Sequence, residues 1–321
     1  MSRIAYLGPE GTFTEAALLQ ITGGGLVPGQ GSEDLQPLPI ESTPAALDAV
    51  RDGEADYACV PIENSIDGSV TPTLDSLSMG SPLQVYAETT LDITFSIVVK
   101  GRRSAADVHT LAAFSVAMAQ VRRWVAANLA GAELRPAYSN GDAARQVAEG
   151  QADAAVTSPL AATHWGLDSL ADGVVDEPNA RTRFVLVGPP GPPPARTGAD
   201  RTAVVLRIDN APGALLAALA EFGIRGIDLT RIESRPTRSG LGTYVFFADC
   251  VGHIDDDAVA EALKALHRRC ADVRYLGSWP MGSPAGVIPP AADEASRWLA
   301  GLRRGEAGQA SEQTKAGGFA S

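Results

Sequence analysis

The sequence predicts an α/β protein in two parts, a larger region of two similar lobes and a smaller domain that orders its elements βαββαβ. Three observations predict this. The stretch 188–200, GPPGPPPARTGAD, is too rich in proline and glycine for a helix or an inner strand, so it reads as a linker. Before it, short β-rich runs alternate with alanine-rich helical stretches, the pattern of sheets with crossover helices. That region also repeats itself: STPAALDAVRDGEADYAC from Ser42 aligns without gaps on SNGDAARQVAEGQADAAV from Ser139, matching Ser42/Ser139, Val50/Val147, Gly53/Gly150 and Asp56/Asp153 among others. Each copy reads as cap, helix, glycine stop and strand, so the region holds two α/β lobes with a cleft between them.

The elements follow in order. A strand at 4–7 leads to a helix at 14–21, a helix at 45–51 to a strand at 57–60, and a helix at 143–149 to a strand at 154–157. Thr43-Pro44, Thr71-Pro72 and Ser158-Pro159 each offer a hydroxyl cap followed by proline in a first helical turn. Beyond the linker come a strand TAVVLRI, a helix at 212–222, strands IDLTRIESR and GTYVFFADC, a helix at 256–269 and a strand DVRYLGSW, the ferredoxin-like order. The expected boundaries are 1–188 for the lobes, 189–200 for the linker and 201–280 for the second domain. The tail, 281–321, has little to bury, and is expected to be mostly disordered with one short helix at 296–304.

Composition narrows the function. The 321 residues carry 38 acidic and 26 basic side chains, net −12, with the positive charge scattered, which argues against nucleic acid as a partner. Only Lys100, Lys264 and Lys315 are lysines; the remaining basic residues are arginines, suited to planar recognition of carboxylates. No apolar run approaches the roughly 20 residues that span a bilayer, and MSRIAYLGPEG lacks the features of a signal peptide, so no membrane association and a cytoplasmic location are expected. Cys59, Cys250 and Cys270 form no disulfide or zinc pattern. His109, His164, His253 and His267 have no metal-ligand spacing and are expected at the surface or at caps. GxSxG, P-loop and complete GxGxxG signatures are missing.

Three segments can carry chemistry. In YLGPEGTFTEAAL a glycine-proline turn follows a strand and precedes a helix, with Thr12 and Glu15 spaced as a capping box; helix amides there could bind an anion, or the segment is a plain tight turn. In VPIENSIDGSV, Glu63, Asn64 and Ser65 follow a strand, where polar side chains enter the ligand crevice of an α/β sheet, or form only a turn. In DEPNARTRFVLVG, Asn179, Arg181, Thr182 and Arg183 crowd ahead of a strand at 184–187, as a carboxylate clamp or as solvated charges.

Together these segments resemble prephenate dehydratase over nearly all of residues 3–280. GPEGTF at 8–13, PIENS at 61–65 with Gly68 and Val70, and the triplet Thr182-Arg183-Phe184 match that family's signature segments in order. The second domain resembles an ACT domain, with PGAL (Pro212, Gly213, Ala214, Leu215) and ESRP (Glu233, Ser234, Arg235, Pro236) similar to the phenylalanine-binding motifs of the dehydratase module. Two departures stand out. The family's asparagine before Thr-Arg-Phe is one residue further away here, at Asn179, and its Ser-His-Pro-Gln segment is replaced around 113–116. With no chorismate mutase segment ahead of Met1, the monofunctional form is expected.

The resemblance implies a bilobed, periplasmic-binding-protein-like catalytic domain plus a regulatory ACT domain. It also implies loss of CO2 and water from prephenate to give phenylpyruvate, with aromatisation as the driving force and without metal or cofactor. Thr182 would serve the departing hydroxyl, with Glu63 or a water as its orienting neighbour. Arg183 and the amides near Thr12 would hold carboxylate, Asn64 and Ser65 would orient the ring, and Asn179 and Phe184 would complete the substrate site. L-Phenylalanine would bind the ACT domain as a feedback ligand. Gly213, in the turn after Asn210, allows close backbone approach, and Glu233 offers a carboxylate for the ammonium group. The open sheet edge and the family habit imply a dimer or tetramer through ACT domains. The alternatives are arogenate dehydratase and a non-catalytic bilobed sensor of an aromatic acid.

Overall fold

Two strand triplets of the same build form the two lobes. The computed structural model describes residues 2–29, 35–101, 103–237, 243–282, 286 and 294–306. The first lobe runs β1 (Ser2–Leu7), α1 (Phe13–Gly23), β2 (Leu35–Ile40), α2 (Thr43–Arg51), β3 (Tyr57–Asn64), β4 (Gly68–Ser69), α3 (Thr71–Ser78) and β5 (Gln84–Asp92). The chain crosses into the second lobe, with β6 (Phe95–Val99), β7 (Thr110–Phe114), α4 (Ser115–Asn128), β8 (Glu133–Ala137), α5 (Asn140–Ala148), β9 (Ala154–Thr157), α6 (Pro159–His164) and β10 (Asp168–Val174). It then returns as β11 (Arg181–Gly188), which lies antiparallel between β3 and β5. The sheets are ordered β2-β1-β3-β11-β5, with β4 on β3, and β10-β6-β9-β7-β8.

The repeat has a physical cause. In both copies a central strand is flanked by two parallel neighbours, β2-β1-β3 and β8-β7-β9. Ser42 caps α2 by accepting the Ala45 N–H, and Ser139 caps α5 by accepting the Asp142 N–H. Gly53 and Gly150 take φ of +73° and +75° in the turns that follow these helices. Asp56 accepts the Arg3 N–H at the head of β1, and Asp153 accepts the Thr110 N–H at the head of β7. Burial raises the Asp153 pKa, but hydrogen bonds from Arg103 and Thr110 overcome this and hold it at about 2. Serine, glycine and aspartate recur because each lobe must cap one helix, turn once and anchor one strand.

Two expected caps differ by a residue. Ser42, not Thr43, caps α2, and α3 begins at Thr71 after Val70 with no side-chain cap; proline is tolerated at either of the first helical positions, so Thr-Pro alone leaves the start ambiguous. Ser158 caps α6 as the sequence predicts.

The second domain contains β12 (Asp200–Arg207), α7 (Ala214–Gly223), β13 (Leu229–Pro236), β14 (Tyr244–Val251), α8 (Asp257–Arg269) and β15 (Asp272–Pro280), in an antiparallel sheet of order β13-β14-β12-β15. Period-two alternation gives the sheet two apolar faces. Leu206, Ala248 and Cys250 pack beneath Phe222 of α7 and Leu266 of α8. Val205, Phe247, Leu276 and Trp279 share a core with Leu74, Leu77, Val85 and Val187 of the first lobe. Each such side chain contributes on the order of 1.5–3 kcal/mol when buried, so the domain is fixed to that lobe.

His253 is fully buried rather than superficial, and its Nε2 lies 3.0 Å from the Pro194 carbonyl oxygen, clipping the linker to the second domain. A further helix, α9 (Glu294–Arg303), starts two residues before the expected one; residues 283–285, 287–293 and 307–321 of the expected tail lie outside the described residues. Among the described residues no helix is long and apolar enough to cross a membrane.

Candidate active site

The carboxyl ends of β1 and β3 and the start of β11 face the second lobe across the cleft. Thr182 and Asn64 are register partners on β11 and β3, so their side chains share one face of the sheet. Asn64 Nδ2 donates to Thr182 Oγ1 at 2.9 Å. The amide orientation is fixed, because Asn64 Oδ1 accepts the Ile66 and Asp67 N–H groups at 2.8 and 3.1 Å. The Thr182 oxygen therefore accepts from asparagine and keeps its own proton for another acceptor.

Ser65 braces the same corner. Its N–H donates to the Arg181 carbonyl, its Oγ accepts the Arg181 N–H and donates to the Asn179 carbonyl. Asn179 sits at φ +73°, the left-handed region that asparagine tolerates better than most residues. The structure thus gives both residues a part in shaping the turn that delivers β11. Arg181 pairs with Asp92 in an exposed contact.

Three of the sequence-based roles change. Arg183 and Glu63 are also register partners, but on the opposite face from Thr182 and Asn64. Arg183 is 7% exposed and points beneath the second domain, where it bonds Glu63, Glu88 and Asp249 instead of facing the cleft as a carboxylate clamp. Glu63 pairs with Arg183, so the neighbour that orients Thr182 is Asn64. Phe184 is buried with Tyr6, Ala87 and Leu186 in the core under α1, so it supports the site from below. One residue of offset along a strand reverses a side chain, and adjacency in Thr-Arg-Phe conceals that.

Thr12 caps α1, accepting the Glu15 N–H and donating to the Leu7 carbonyl. The Glu15 carboxylate reaches the Gly11 N–H rather than Thr12, so the reciprocal bond of the expected capping box falls one residue upstream. Opposite this turn the second lobe supplies residues the sequence reading passed over as chemistry. Ser158 Oγ donates to the Gly11 carbonyl across the cleft, and Thr157 Oγ1 donates to the Asn140 carbonyl at 2.7 Å. Phe13 meets Phe95 edge to face at 5.5 Å, and His164 Nε2 lies 3.1 Å from Glu10 Oε2. The repeat was the signal that could have found Asn140, since Ser139 marks where α5 points its first turn into the cleft.

In the second domain a pocket of about 430 Å³ is lined by Asn210, Ala214 and Leu215, with Arg207, Asp209 and Tyr244 among its other walls. Gly213 caps α7 at φ +78°, in the left-handed region that glycine enters without a Cβ penalty. The ESRP residues divide by alternation. Glu233 accepts from Ser69 and Arg235 pairs with Asp75, both towards the first lobe, while exposed Ser234 and Pro236 pair in register with Phe246 and Tyr244 of the pocket wall. Asp209, not Glu233, is the carboxylate on that wall.

A cleft between two α/β lobes, joined to a separate βαββαβ module with its own pocket, defines a bilobed enzyme carrying an ACT-type regulatory domain. The family model for prephenate dehydratase matches residues 4–191 and that for the ACT domain residues 202–268. The chain belongs to the prephenate dehydratase family. It is 81% identical over 306 residues to the prephenate dehydratase of Mycobacterium avium (strain 104), covering 95% of this chain and 97% of that one. With the enzyme of Mycobacterium leprae (strain TN) the identity is 77% over 314 residues, covering 97% and 98%. The prephenate dehydratase of Arthrobacter aurescens, solved in complex with L-Phe, superposes with a TM-score of 0.81 at 40% identity, covering 94% of this chain and 99% of that one. The activity is that of the family: decarboxylative dehydration of prephenate to phenylpyruvate.

Proposed function

We propose that Thr182 is the proton donor of this reaction and that Asn64 makes it one. The observation that carries this is the fixed Asn64 amide, which donates to Thr182 Oγ1 and so does not take up the hydroxyl proton. A free threonine is a poor acid, and a donor bonded to its oxygen stabilises the charge that grows there as the proton leaves. Ser65 holds the turn, and the first turn of α1 at Thr12 presents amides to a substrate carboxylate. Arg183 supports the strand from behind. Phenylpyruvate formation from prephenate and from arogenate, assayed side by side, separates the two dehydratase readings and the non-catalytic sensor.

L-Phenylalanine, the ligand bound to the Arthrobacter relative, fits the second-domain pocket. Arg207 offers a cation for its carboxylate, Asp209 an anion for its ammonium group, and Leu215 and Phe246 an apolar wall. Leu216 and Ile224 are 73% exposed and Ile232 and Tyr244 47% exposed on this domain, an apolar surface that a second copy would cover, so the reading includes a dimer or tetramer built through ACT domains. Light scattering on the purified protein tests it. A cytoplasmic location accords with a small-molecule biosynthetic reaction.

A further inference from the structure

Six buried or half-buried charges meet where the second domain lies on the first lobe. Arg183 Nη2 reaches Glu63 at 2.9 Å and Asp249 at 2.8 Å, and its Nη1 reaches Glu88 at 3.1 Å. Asp249 is held in turn by the fork of Arg231, with bonds of 3.0 and 2.9 Å. Arg201 Nε lies 3.2 Å from Glu88, off line for a hydrogen bond. Glu63, Glu88 and Arg183 belong to the first lobe and carry net −1. Arg201, Arg231 and Asp249 belong to the second domain and carry net +1. Neither half is neutral alone, so the cluster balances only with the two domains in register.

The cluster also touches both functional sites through the chain itself. Glu63 and Arg183 immediately precede and follow Asn64 and Thr182 in register on β3 and β11, whereas Arg231 is on β13, two residues before the ESRP segment. Buried ion pairs contribute little net stability compared with apolar packing, and their best-attested use is to fix register or to switch. Among the described residues two donors here, Arg201 Nε and Arg231 Nη1, are buried without a hydrogen-bond acceptor. Spare donors beside shared carboxylates let the pairing change at small cost, as a two-state element requires.

We propose that Arg231, Asp249 and Arg183 form a relay that carries the state of the ACT domain to Thr182 and Asn64, with Arg183 as the positioning residue of the catalytic strand. The inference rests on the reading that phenylalanine binds this domain and inhibits. Movement of β13 changes the grip of Arg231 on Asp249, the freed Asp249 draws Arg183, and β11 shifts with it.

The test uses the full-length protein and three variants. Arg231→Lys keeps the charge and loses the fork; Arg201→Lys keeps the charge beside Glu88 and Asp249 while losing the bond to Thr230, and serves with the same expected outcome should the first fail to fold. Arg274→Met cuts another contact between the same domains, to the Leu77, Met79 and Gly80 carbonyls, without touching the cluster. For each, kcat/KM without phenylalanine, the phenylalanine Kd by calorimetry and the residual activity at saturating phenylalanine are measured. Arg231→Lys is expected to keep kcat/KM within about threefold and to bind phenylalanine within about tenfold of wild type, yet to retain at least fivefold more residual activity, the scale of common coupling energies. Arg274→Met is expected to remain fully inhibited. Inhibition as deep in Arg231→Lys as in wild type, or equal loss in Arg274→Met, overturns the relay and leaves feedback standing. A wild type that phenylalanine neither binds nor inhibits overturns both.

Discussion

Gly141→Ala adds one methyl group at the second residue of α5, where that helix meets the Glu10 turn of the first lobe. The backbone there lies outside the left-handed region, so alanine itself is unstrained, and replacing a helical glycine favours the helix by up to about 1 kcal/mol. The cost lies across the cleft. The added Cβ lands on the Glu10 carbonyl oxygen, roughly an ångström inside the ~3.3 Å at which carbon and carbonyl oxygen meet. The Glu10 turn has little room to yield, since the Gly8 N–H is tied to the Ile40 carbonyl at 2.8 Å and Gly11 is held by both Glu15 and Ser158. The lobes must therefore part by roughly an ångström, a displacement that costs on the order of 100-fold in rate, or about 2.7 kcal/mol of barrier. Steady-state phenylpyruvate formation should fall by that factor while the melting temperature holds or rises, and phenylalanine binding should be unchanged. A kcat/KM within threefold of wild type would show that the lobes need not meet as closely as they do here.

Other substitutions test the remaining assignments. Thr182→Ala should lower kcat by about 100-fold or more and Thr182→Ser far less, with Asn64→Ala falling between them; comparable activity in all three would make the hydroxyl a structural group. Gly213→Val places a branched side chain at φ +78°, so calorimetry should find phenylalanine binding lost with basal turnover retained, and equal binding would move the ligand elsewhere. Asp249 is buried, which raises its pKa, but Arg231 and Arg183 outweigh this and hold it below the ordinary 3.8. Its stabilisation is thus present above pH 3.8 and lost as pH falls through the lower folded-state value. Asp249→Asn should be less stable by about 3–5 kcal/mol at neutral pH, with the gap in melting temperature narrowing below pH 3.8. A gap independent of pH would contradict that assignment.

The elements of the second domain and the strands and helices of the repeat were legible because period and punctuation are local properties. The middle of the chain was not, since the partners of β5, β6 and β10 are set by long-range antiparallel pairing that no local signal announces. At the site, the family resemblance pointed to Thr182, Asn64 and Ser65, but not to which side of the sheet each neighbour takes. Arg183 read as a clamp because a sequence shows a charge and hides its partners; Glu88 and Asp249 lie 95 and 66 residues away. For the same reason Glu233 read as a ligand to ammonium, whereas strand alternation turns it to Ser69.

The two lobes, alike in build, differ in mechanical standing. The first is welded to the second domain through a shared core, while the second is joined to it by a neck of only two passages, β5 into β6 and β10 into β11, laced by the Ile93 N–H on the Ala180 carbonyl at 2.7 Å. Any change in the width of the cleft therefore has to be taken up by these two passages, since the first lobe and the second domain share one core. The second of these passages ends at Asn179 and Ala180, directly ahead of the strand that bears Thr182, so the joint between the lobes and the proposed acid are neighbours along the chain.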